Sequence, residues 1–275
     1  MPSVSSVDGA IRIGDNYIDS KHCSFWHRRF LYGFNKENTY SSNHFEEFAK
    51  IYYSLELLCT KSFFLTAINF SPQSRSKIYQ LLLAKKLGIN VPNTIFSNDY
   101  THIKDTIKNQ KLIVKTISGG SFEHNNEKYA FNSKLITQDN LSELKDYVSE
   151  SPAIYQEYIE KSFELRITIV GNQFFTCKID SQKSADDRAK IDWRHYKLDD
   201  KYWTSHQLPQ AIETKILLLM KDLNLNFGCI DMVVTPDGDY VFLEINPNGQ
   251  WLWIERLTKM PISKAIANIL LSRSH

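Results

Sequence analysis

The sequence predicts an α+β chain of two or three lobes, in which helices alternate with antiparallel hairpins. Two hairpins carry this prediction, because turn dipeptides separate pairs of strand-like runs at Gly171-Asn172 and at Asp237-Gly238. Apolar side chains recur at helical spacing in segments near 42–59, 74–87 and 209–223. With 275 residues, the chain exceeds the usual size of one compact domain.

The individual elements follow from local patterns, taken from the N terminus onward. Residues 1–72 combine short strand-like pieces near 10–13 and 24–28 with the first helix. The helix near 74–87 is expected to end at Gly88, because glycine readily takes the left-handed conformation found after helix C termini. Further strands are expected near 112–117, 153–158, 164–170, 173–179, 229–234 and 240–246, and further helices near 141–148 and 262–271.

Charge and composition argue against several classes of protein. The 33 basic and 31 acidic residues leave a net charge of +2, whereas basic residues dominate in most nucleic-acid binders. No apolar run reaches the roughly 18 residues of a membrane-spanning helix, and the N-terminal residues lack the pattern of a secretory signal. The four cysteines lie far apart without metal-ligand spacing, as expected of reduced thiols. We therefore expect a cytoplasmic protein that binds neither nucleic acid nor membrane.

The hairpin around Asp237-Gly238 contains the strongest site signal. A two-residue type I′ turn there pairs residue 236 with 239 and residue 234 with 241, and it places Asp231 opposite Glu244. The β-carbons of the two carboxylates are then about 5 Å apart, and Asn246 lies on the same face of the sheet. The other face is predicted to be a core surface, formed by Met232, Val234, Val241 and Leu243.

Two opposed carboxylates repel each other, so a cation is expected between Asp231 and Glu244. Two acidic oxygens and an amide oxygen are hard ligands, which suit Mg²⁺ held jointly with nucleotide phosphates. Spacing alone leaves an alternative open, in which these side chains are solvated polar residues on an exposed sheet face.

Two lysines are candidate phosphate ligands. Lys115 interrupts an apolar strand, and a half-buried ammonium needs an anionic partner; the alternative is a lysine that snorkels from an edge strand. Lys77 lies in the first turn of its helix, where the helix dipole disfavours a cation. In the first hairpin, counting from the turn pairs Arg166 with Cys177 and places Glu164 on the same face as Arg166.

Six segments resemble the motifs of ATP-grasp ligases and occur in that family's order between about residues 74 and 256. They are Ser76-Lys77-Ile78 with Leu81-Leu82, the segment 88–94, Lys115 ahead of Ser118-Gly119-Gly120-Ser121, Gln156-Glu157-Tyr158-Ile159, Glu164-Leu165-Arg166, and the run from Glu244 through Asn246 to Trp251. Any one of these motifs is weak, whereas six in order favour membership of the family.

The resemblance implies an ATP-grasp fold with a short N-terminal lobe at 1–72, a central lobe at 73–152 and a C-terminal lobe at 153–275. It places ATP in the cleft between the last two lobes. The residues implied to bind the nucleotide are Lys77, Lys115, Gly119, Gly120, Ser121, Gln156, Glu157, Tyr158, Ile159 and Glu164. Those implied to hold Mg²⁺ are Asp231, Glu244 and Asn246.

Three residues are implied to act in catalysis. By resemblance, Arg166 and Arg194 contact the transferring phosphoryl group or the acyl phosphate and stabilise the charge of the transition state. For Arg194 the alternative is a solvated loop charge. Asp192 would orient Arg194, bind the peptide nucleophile or accept its proton, and the sequence leaves these three roles open.

Within the family, three segments resemble microviridin-type graspetide synthetases, which are macrocycle-forming peptide ligases. The segments are Asp192-Trp193-Arg194, Asn248-Gly249-Gln250-Trp251 and Phe25-Trp26-His27-Arg28-Arg29. This narrower resemblance implies that ATP activates Asp or Glu side chains of a ribosomally made precursor peptide, which has a leader and an acidic core. Ser or Thr hydroxyls, or Lys amines, then form ester or amide crosslinks. It also implies a homodimer. Fewer residues precede Phe25 than in those enzymes, so a short or incomplete N-terminal lobe is expected.

Two alternatives to the macrocyclase remain. One is another ATP-grasp carboxylate–amine ligase, which adds amino acids to a protein tail or joins small molecules. The other is a non-catalytic peptide-binding scaffold of the same fold. An intact set of metal ligands, two lysines and two arginines disfavours the scaffold.

Overall fold

The computed structural model contains two main antiparallel sheets with helices packed against them. It describes residues 2–4, 11–13, 16–18, 23–28, 42–68, 70–108, 110–117, 121–124, 127–130, 133–145, 148–195 and 200–274. Within those ranges, none of the helices combines the length and the apolar character that a membrane span requires.

The bounds of the elements are as follows. The strands are β1 (Pro2–Val4), β2 (Ile11–Ile13), β3 (Asn16–Ile18), β4 (Ser24–Trp26), β5 (Phe63–Thr66), β6 (Thr94–Ser97), β7 (Leu112–Lys115), β8 (Ser121–His124), β9 (Glu127–Ala130), β10 (Lys134–Ile136), β11 (Ala153–Glu157), β12 (Phe163–Val170), β13 (Gln173–Ile179), β14 (Trp203–Ser205), β15 (Phe227–Val234) and β16 (Tyr240–Asn246). The α-helices are α1 (Ser42–Leu58), α2 (Pro72–Arg75), α3 (Lys77–Lys86), α4 (Tyr100–Ile107), α5 (Asp187–Ile191), α6 (Gln210–Asp222), α7 (Leu252–Thr258) and α8 (Ile262–Ser272). Short 3-10 helices cover Leu141–Leu144, Val148–Glu150, Ser181–Lys183, Trp193–His195 and Asp200–Tyr202.

The first sheet has the strand order β10-β7-β11-β6. Its core contains Ile103 and Ile107 of α4, which pack with Leu112, Ile136 and Tyr155. Strands β7 and β11 are neighbours in this sheet. Their pairing places Lys115, at the end of β7, close to the predicted hinge that begins at Gln156 in β11.

The second sheet has the order β14-β13-β12-β15-β16 and is covered on both faces. Side chains alternate along a strand, so Leu165, Ile167 and Ile169 of β12 pack with α3 and α6 on one face. On the other face, Val170 joins a second buried cluster with residues of α7 and α8. β5 and its parallel neighbour β4 pack on this second face, where Trp26 of β4 lies beside Phe227 at the start of β15.

The hairpin of β15 and β16 confirms the pairing of Asp231 with Glu244 but not the predicted register near the turn. Val234 pairs with Tyr240, because the loop has three residues, 236–238, instead of two. The Gly238 N–H donates to the Thr235 carbonyl at 3.0 Å, and Gly238 alone of the loop residues has a positive φ, of +88°. Pro236 favours this type I turn followed by a left-handed glycine, because proline fixes the φ that the first turn position requires.

A β-bulge between Asp231 and Met232 then restores the register at the carboxylates. The bulge also changes which residues face the core. Phe242 is fully buried beside Met232 and Val234, whereas Leu243 lines the cavity on the other face. The prediction that Val241 and Leu243 share the core face with Met232 is therefore wrong.

Two predicted helices differ in detail from the structure. The segment 74–87 is divided at Ser76, which has an extended backbone and caps α3 through its Oγ. The segment 141–148 forms short 3-10 helices instead of one α-helix. Gly88 ends α3 with a φ of +71°, as predicted.

Candidate active site

Asp231 and Glu244 lie opposite each other on β15 and β16, and Arg166 from β12 pairs with the first of them. Arg166 Nη1 donates to Asp231 Oδ1 at 2.8 Å, and both side chains are 9% exposed. Arg166 Nη2 also donates to the Gln250 carbonyl at 3.3 Å. Burial would lower the pKa of Arg166, but the Asp231 carboxylate outweighs it and raises that pKa above its usual value.

Glu244 is held between two further cations. Lys77 Nζ lies 2.9 Å from Glu244 Oε2, and Arg194 Nη1 lies 3.3 Å from Oε1. Burial raises the pKa of Glu244, yet Lys77 and Arg194 together lower it to about 2, so the carboxylate is ionised at neutral pH. The cation expected between the two carboxylates is thus supplied here by side chains from α3 and from the segment after α5.

Asp192 orients Arg194. From Arg194 alone the Asp192 carboxylate accepts three hydrogen bonds, donated by N at 3.1 Å, Nε at 2.9 Å and Nη2 at 3.3 Å. Burial opposes ionisation, but Arg194 lowers the pKa of Asp192 well below its usual range. Between these two residues, Trp193 packs edge-on against Trp203 and beside Trp253, with ring centroids 5.4 and 5.2 Å away. These hydrogen bonds favour the orienting role among the three predicted for Asp192, and all three stay predictions.

Lys115 lies at the end of β7 and lines a cavity between the two sheets. Its Nζ donates to Gln156 Oε1 at 2.9 Å, and Gln156 Nε2 donates to Thr94 Oγ1 at 3.1 Å. Burial lowers the pKa of Lys115 to about 8, and the nearby Lys77 and Arg194 act in the same direction. A phosphate would stabilise the charged form of this lysine.

The predicted hinge residues line a cavity between the two sheets. Gln156, Glu157, Tyr158 and Ile159 form one wall, and the lining also includes Lys115, Glu164, Asp192 and Arg194 with the apolar Ile113, Val233 and Leu243. The Glu157 carboxylate accepts from the Asn93 N–H at 3.2 Å and from Asn93 Nδ2 at 2.9 Å, so it is already engaged with the strand end beside it. Its predicted contact with the exocyclic amine of adenine stays a prediction.

Glu164 is buried in the wall of this cavity. Lys161 Nζ lies 3.0 Å from Glu164 Oε1, and Ser181 Oγ donates to the same oxygen at 2.8 Å. Burial raises the pKa of Glu164, and the lysine and the serine oppose that effect. Lys161 was not predicted from the sequence, although a lysine two residues after the hinge and three residues before Glu164 is a pattern that could have indicated it.

Four predicted ligands are less well defined. Gly119 and Gly120 lie outside the described residues, and of Ser121 only the backbone, at the start of β8, is described. Asn246 ends β16 on the face that carries Glu244, and its Oδ1 accepts from the Asn248 N–H at 3.0 Å.

Arg28, in the N-terminal part of the chain, holds the loop after β16 by hydrogen bonds. Arg28 Nη1 donates to Asn248 O at 2.8 Å, to Asn248 Oδ1 at 2.7 Å and to Gly249 O at 3.0 Å. A Cβ on Gly249 would lie 2.4 Å from Cys229 Cβ, so only glycine allows the loop to approach the sheet this closely. The sequence suggested Arg28 as part of a motif but not its contact with this loop.

The donor set fits Mg²⁺ shared with a phosphate ligand. Asp231 Oδ2 is buried without a hydrogen-bond partner, 3.9 Å from Arg194 Nη1, and an unsatisfied carboxylate oxygen favours a cation. Among the described residues, no three His, Cys, Asp or Glu side chains gather as a metal cage. Mg²⁺ is typically held by one or two carboxylates together with substrate phosphates and water, which is what this pair offers.

Residues 73–270 match the family model of the RimK-like ATP-grasp domain, which is more than half of the chain. The chain belongs to the RimK-like ATP-grasp family. The predicted α+β ATP-grasp fold is thereby confirmed.

Comparison with solved structures extends the likeness over the whole chain. A RiPP-associated ATP-grasp ligase from Chryseobacterium gregarium, in complex with ADP and a leader and core peptide, is 29% identical with a TM-score of 0.87, over 100% of this chain and 85% of that one. Macrocyclase MdnC from Microcystis aeruginosa MRC, bound with precursor peptide MdnA, is 31% identical with a TM-score of 0.79, over 99% of this chain and 86% of that one. Macrocyclase MdnB from the same source shares the fold at 24% identity and a TM-score of 0.71, over 98% of this chain and 85% of that one.

A search of curated proteins finds no match. The resemblance of this ATP-grasp chain to RiPP-associated ligases and macrocyclases, expected from its motifs, is confirmed by the solved structures. The division into three lobes stays a prediction; β11, which begins the predicted C-terminal lobe, pairs in the first sheet with β6 and β7.

Proposed function

We propose that this chain is an ATP-dependent peptide macrocyclase. It phosphorylates Asp or Glu side-chain carboxylates of a ribosomally made precursor peptide and forms side-chain esters with Ser or Thr, or amides with Lys. ADP and phosphate are the other products. The observation that carries this proposal is the convergence of Arg166 and Arg194 on the opposed Asp231–Glu244 pair, with Arg194 also lining the cavity. The 31% identity to macrocyclase MdnC over 99% of the chain supports the peptide as substrate.

The nucleotide is bound by residues from both sheets. Lys115 and Lys77 bind its phosphates, and the hinge Gln156–Glu157–Tyr158–Ile159 and Glu164 bind its base and sugar. Mg²⁺ on Asp231, Glu244 and Asn246 would neutralise phosphate charge during transfer. Gly119, Gly120 and Ser121 are proposed to cover the phosphates with their backbone N–H groups.

The two arginines act on the transferring group. Arg166 is fixed by Asp231 and by the Gln250 carbonyl, so it is preorganised. Arg194 is 44% exposed on its side chain, and Asp192 holds its guanidinium in one orientation. Arg194 can therefore release Glu244 and contact the peptide carboxylate or the acyl phosphate while it stays oriented. Stabilising charge on the phosphoryl oxygens lowers the barrier to transfer.

Ring closure is the second step. The acceptor oxygen or nitrogen attacks the acyl carbon, the C–O bond to phosphate breaks, and the acceptor loses its proton. Each ring therefore removes one water from the peptide in total. Asp192 is a candidate to bind that nucleophile or accept its proton, although its strong pairing with Arg194 favours the orienting role.

We also propose the partner, the metal ion, the oligomeric state and the location of the enzyme. Its partner is a precursor peptide with a leader and an acidic core, and its metal is Mg²⁺. We propose a homodimer in the cytoplasm, with no nucleic-acid or membrane partner; the net charge of +2 supports the absence of nucleic acid.

The test measures phosphate release from ATP and the mass of the peptide. With Mg²⁺ and a peptide encoded beside the gene, we expect peptide-dependent release and the loss of one water per ring. Glu244→Gln should abolish both, because it removes one opposed carboxylate and the partner of Lys77 and Arg194. Glu143→Gln, an exposed carboxylate paired with Lys134, is the matched control and should keep full activity.

Two results would count against the macrocyclase. A gain in peptide mass would identify a ligase that adds an amino acid or a small molecule. Unchanged phosphate release in Glu244→Gln would show that the carboxylate pair is not the reaction centre.

A further inference from the structure

Lys161 joins two parts of the cavity wall that are distant in sequence. It lies two residues after Ile159, the last residue of the hinge, and its side chain is only 6% exposed. Its Nζ lies 3.0 Å from Glu164 Oε1 and donates to the Ile191 carbonyl at 3.0 Å. Glu164 is fixed in turn by Ser181 Oγ at 2.8 Å. A buried ammonium with two oxygen partners is costly to move, because each lost partner leaves charge uncompensated.

Ile191 is the residue immediately before Asp192. It ends α5, and the Asp192 N–H closes the helix by donating to Arg188 O at 3.0 Å. Asp192 then holds Arg194, which reaches Glu244. A short path of contacts therefore runs from the hinge through one carbonyl to the arginine at the carboxylate pair.

The helix α5 depends on side-chain hydrogen bonds from outside the helix to stay folded. It has five residues, and Ala189 is the one that is fully buried. Gln182 Nε2 holds the Lys190 carbonyl at 2.9 Å, and Lys161 holds the next carbonyl along the chain. A short helix with little buried apolar surface opens easily unless polar contacts hold it.

We propose that Lys161 is a positioning residue that couples the nucleotide cavity to Arg194 through the Ile191 carbonyl. This inference rests on the proposed function, because it assumes that Arg194 acts on the transferring group. Lys161 and Glu164 line the same cavity as the hinge, so a bound nucleotide lies against the ion pair that fixes α5. Lys161 thereby links binding of the nucleotide in the cavity to the position of Arg194.

The first experiment needs no ATP and no peptide. The variant Lys161→Met with Glu164→Gln removes the tether without leaving a buried unpaired charge. The matched control is Lys134→Met with Glu143→Gln, which removes an exposed ion pair of the same chemistry. Native trypsin digestion then measures cleavage after Arg188 and Lys190. Loss of one charge-assisted hydrogen bond should accelerate this cleavage about ten- to a hundredfold in the first variant, with no change in the control.

Conservative replacement separates positioning from general destabilisation. Lys161→Arg keeps the charge and the donors, so it should restore most of the protection against trypsin. Lys161→Met should lower kcat for peptide-dependent phosphate release more than it raises the KM for ATP, and Lys161→Arg should recover kcat.

Several outcomes would overturn the proposal. Equal cleavage of the tether variant and the wild type would show that Lys161 does not hold α5. Faster cleavage at sites throughout the chain would show global destabilisation instead of a local tether. Faster cleavage at α5 with unchanged kcat would show that the tether does not act on Arg194. A wild-type protein that is inactive with every peptide would contradict the proposed function, whereas the digestion would still report on the tether.

Discussion

Among the described residues, Lys115 is the one lysine whose pKa is clearly shifted from its usual value. It is buried beside Gln156, and its pKa is lowered to about 8, whereas an exposed lysine titrates above 10. In the folded protein it therefore binds its proton less tightly than in the unfolded chain. Between about pH 8 and the unfolded pKa, the unfolded chain holds more protons, so this lysine makes the free energy of unfolding rise with pH. Below that range its buried charge is a cost, which a phosphate would offset.

A pH dependence of nucleotide affinity follows. Only charged Lys115 attracts phosphate, so ADP affinity should fall as pH rises through about 8, by about tenfold between neutral pH and one unit above that pKa. Titration of ADP by calorimetry over this range measures the effect. Lys115→Arg stays charged throughout and is the control. Identical profiles for the two proteins would assign the pH dependence to another group.

At the scale of elements, the side chain of Gln80 forms hydrogen bonds with the edge strand of the second sheet. β16 is the last strand of the sheet, and Gln80 of α3 lies against its outer edge. Ile245 N–H donates to Gln80 Oε1 at 3.1 Å, and Gln80 Nε2 donates to Ile245 O at 3.0 Å. Gln80 is 1% exposed, so its amide replaces a missing strand for one residue of β16. The contact lies next to Glu244, which it holds in place relative to Lys77.

Gln80→Met should therefore destabilise the protein. It leaves the N–H and the carbonyl of Ile245 buried without partners, at about 1–3 kcal/mol each, so the free energy of unfolding should fall by about 2–6 kcal/mol. Equilibrium urea unfolding measures this value. Gln138→Met is the matched control, because exposed Gln138 also bonds a carbonyl, at 2.9 Å, and should change stability by less than about 0.5 kcal/mol. Similar losses in both variants would mean that Gln80 contributes only an ordinary hydrogen bond.

At the scale of the whole molecule, the cavity has one wall from each sheet. Ile113 and the hinge belong to the first sheet or its edge, whereas Val233 and Leu243 belong to the second. Each sheet has its own buried cluster. A ligand in the cavity contacts residues of both sheets and should therefore couple their unfolding. A ligand that binds only the folded state stabilises it according to its concentration.

Ligand and metal removal test this coupling. ADP with Mg²⁺ at about 100 times its Kd should raise the free energy of unfolding by about 2.7 kcal/mol. EDTA should remove part of that gain in the wild type and in Glu143→Gln. In Glu244→Gln, which lacks one proposed metal ligand, EDTA should make little further difference. Thermal unfolding with and without EDTA provides the measurement, and equal losses in all three proteins would contradict the assignment of Mg²⁺ to the carboxylate pair.

Local patterns predicted much of the fold and one half of the site. Helical periodicity identified α6 and α8, and the turn at Gly171 set the pairing of Arg166 with Cys177. The opposition of Asp231 and Glu244 was also predicted, although through a turn type that the structure corrects. Here Pro236 lengthened the loop by one residue and the bulge after Asp231 compensated for it, so two local errors cancelled at the carboxylates.

The sequence by itself determined the elements, the facing of the carboxylates and the family motifs, because periodicity and turn chemistry act over a few residues. Only the tertiary structure decided which cation meets which carboxylate, how Gln80 closes the sheet edge, and how Lys161 reaches Ile191. Those contacts join residues that are 30 to 167 positions apart. Their geometry depends on how whole elements pack, and no local pattern in the chain encodes that packing.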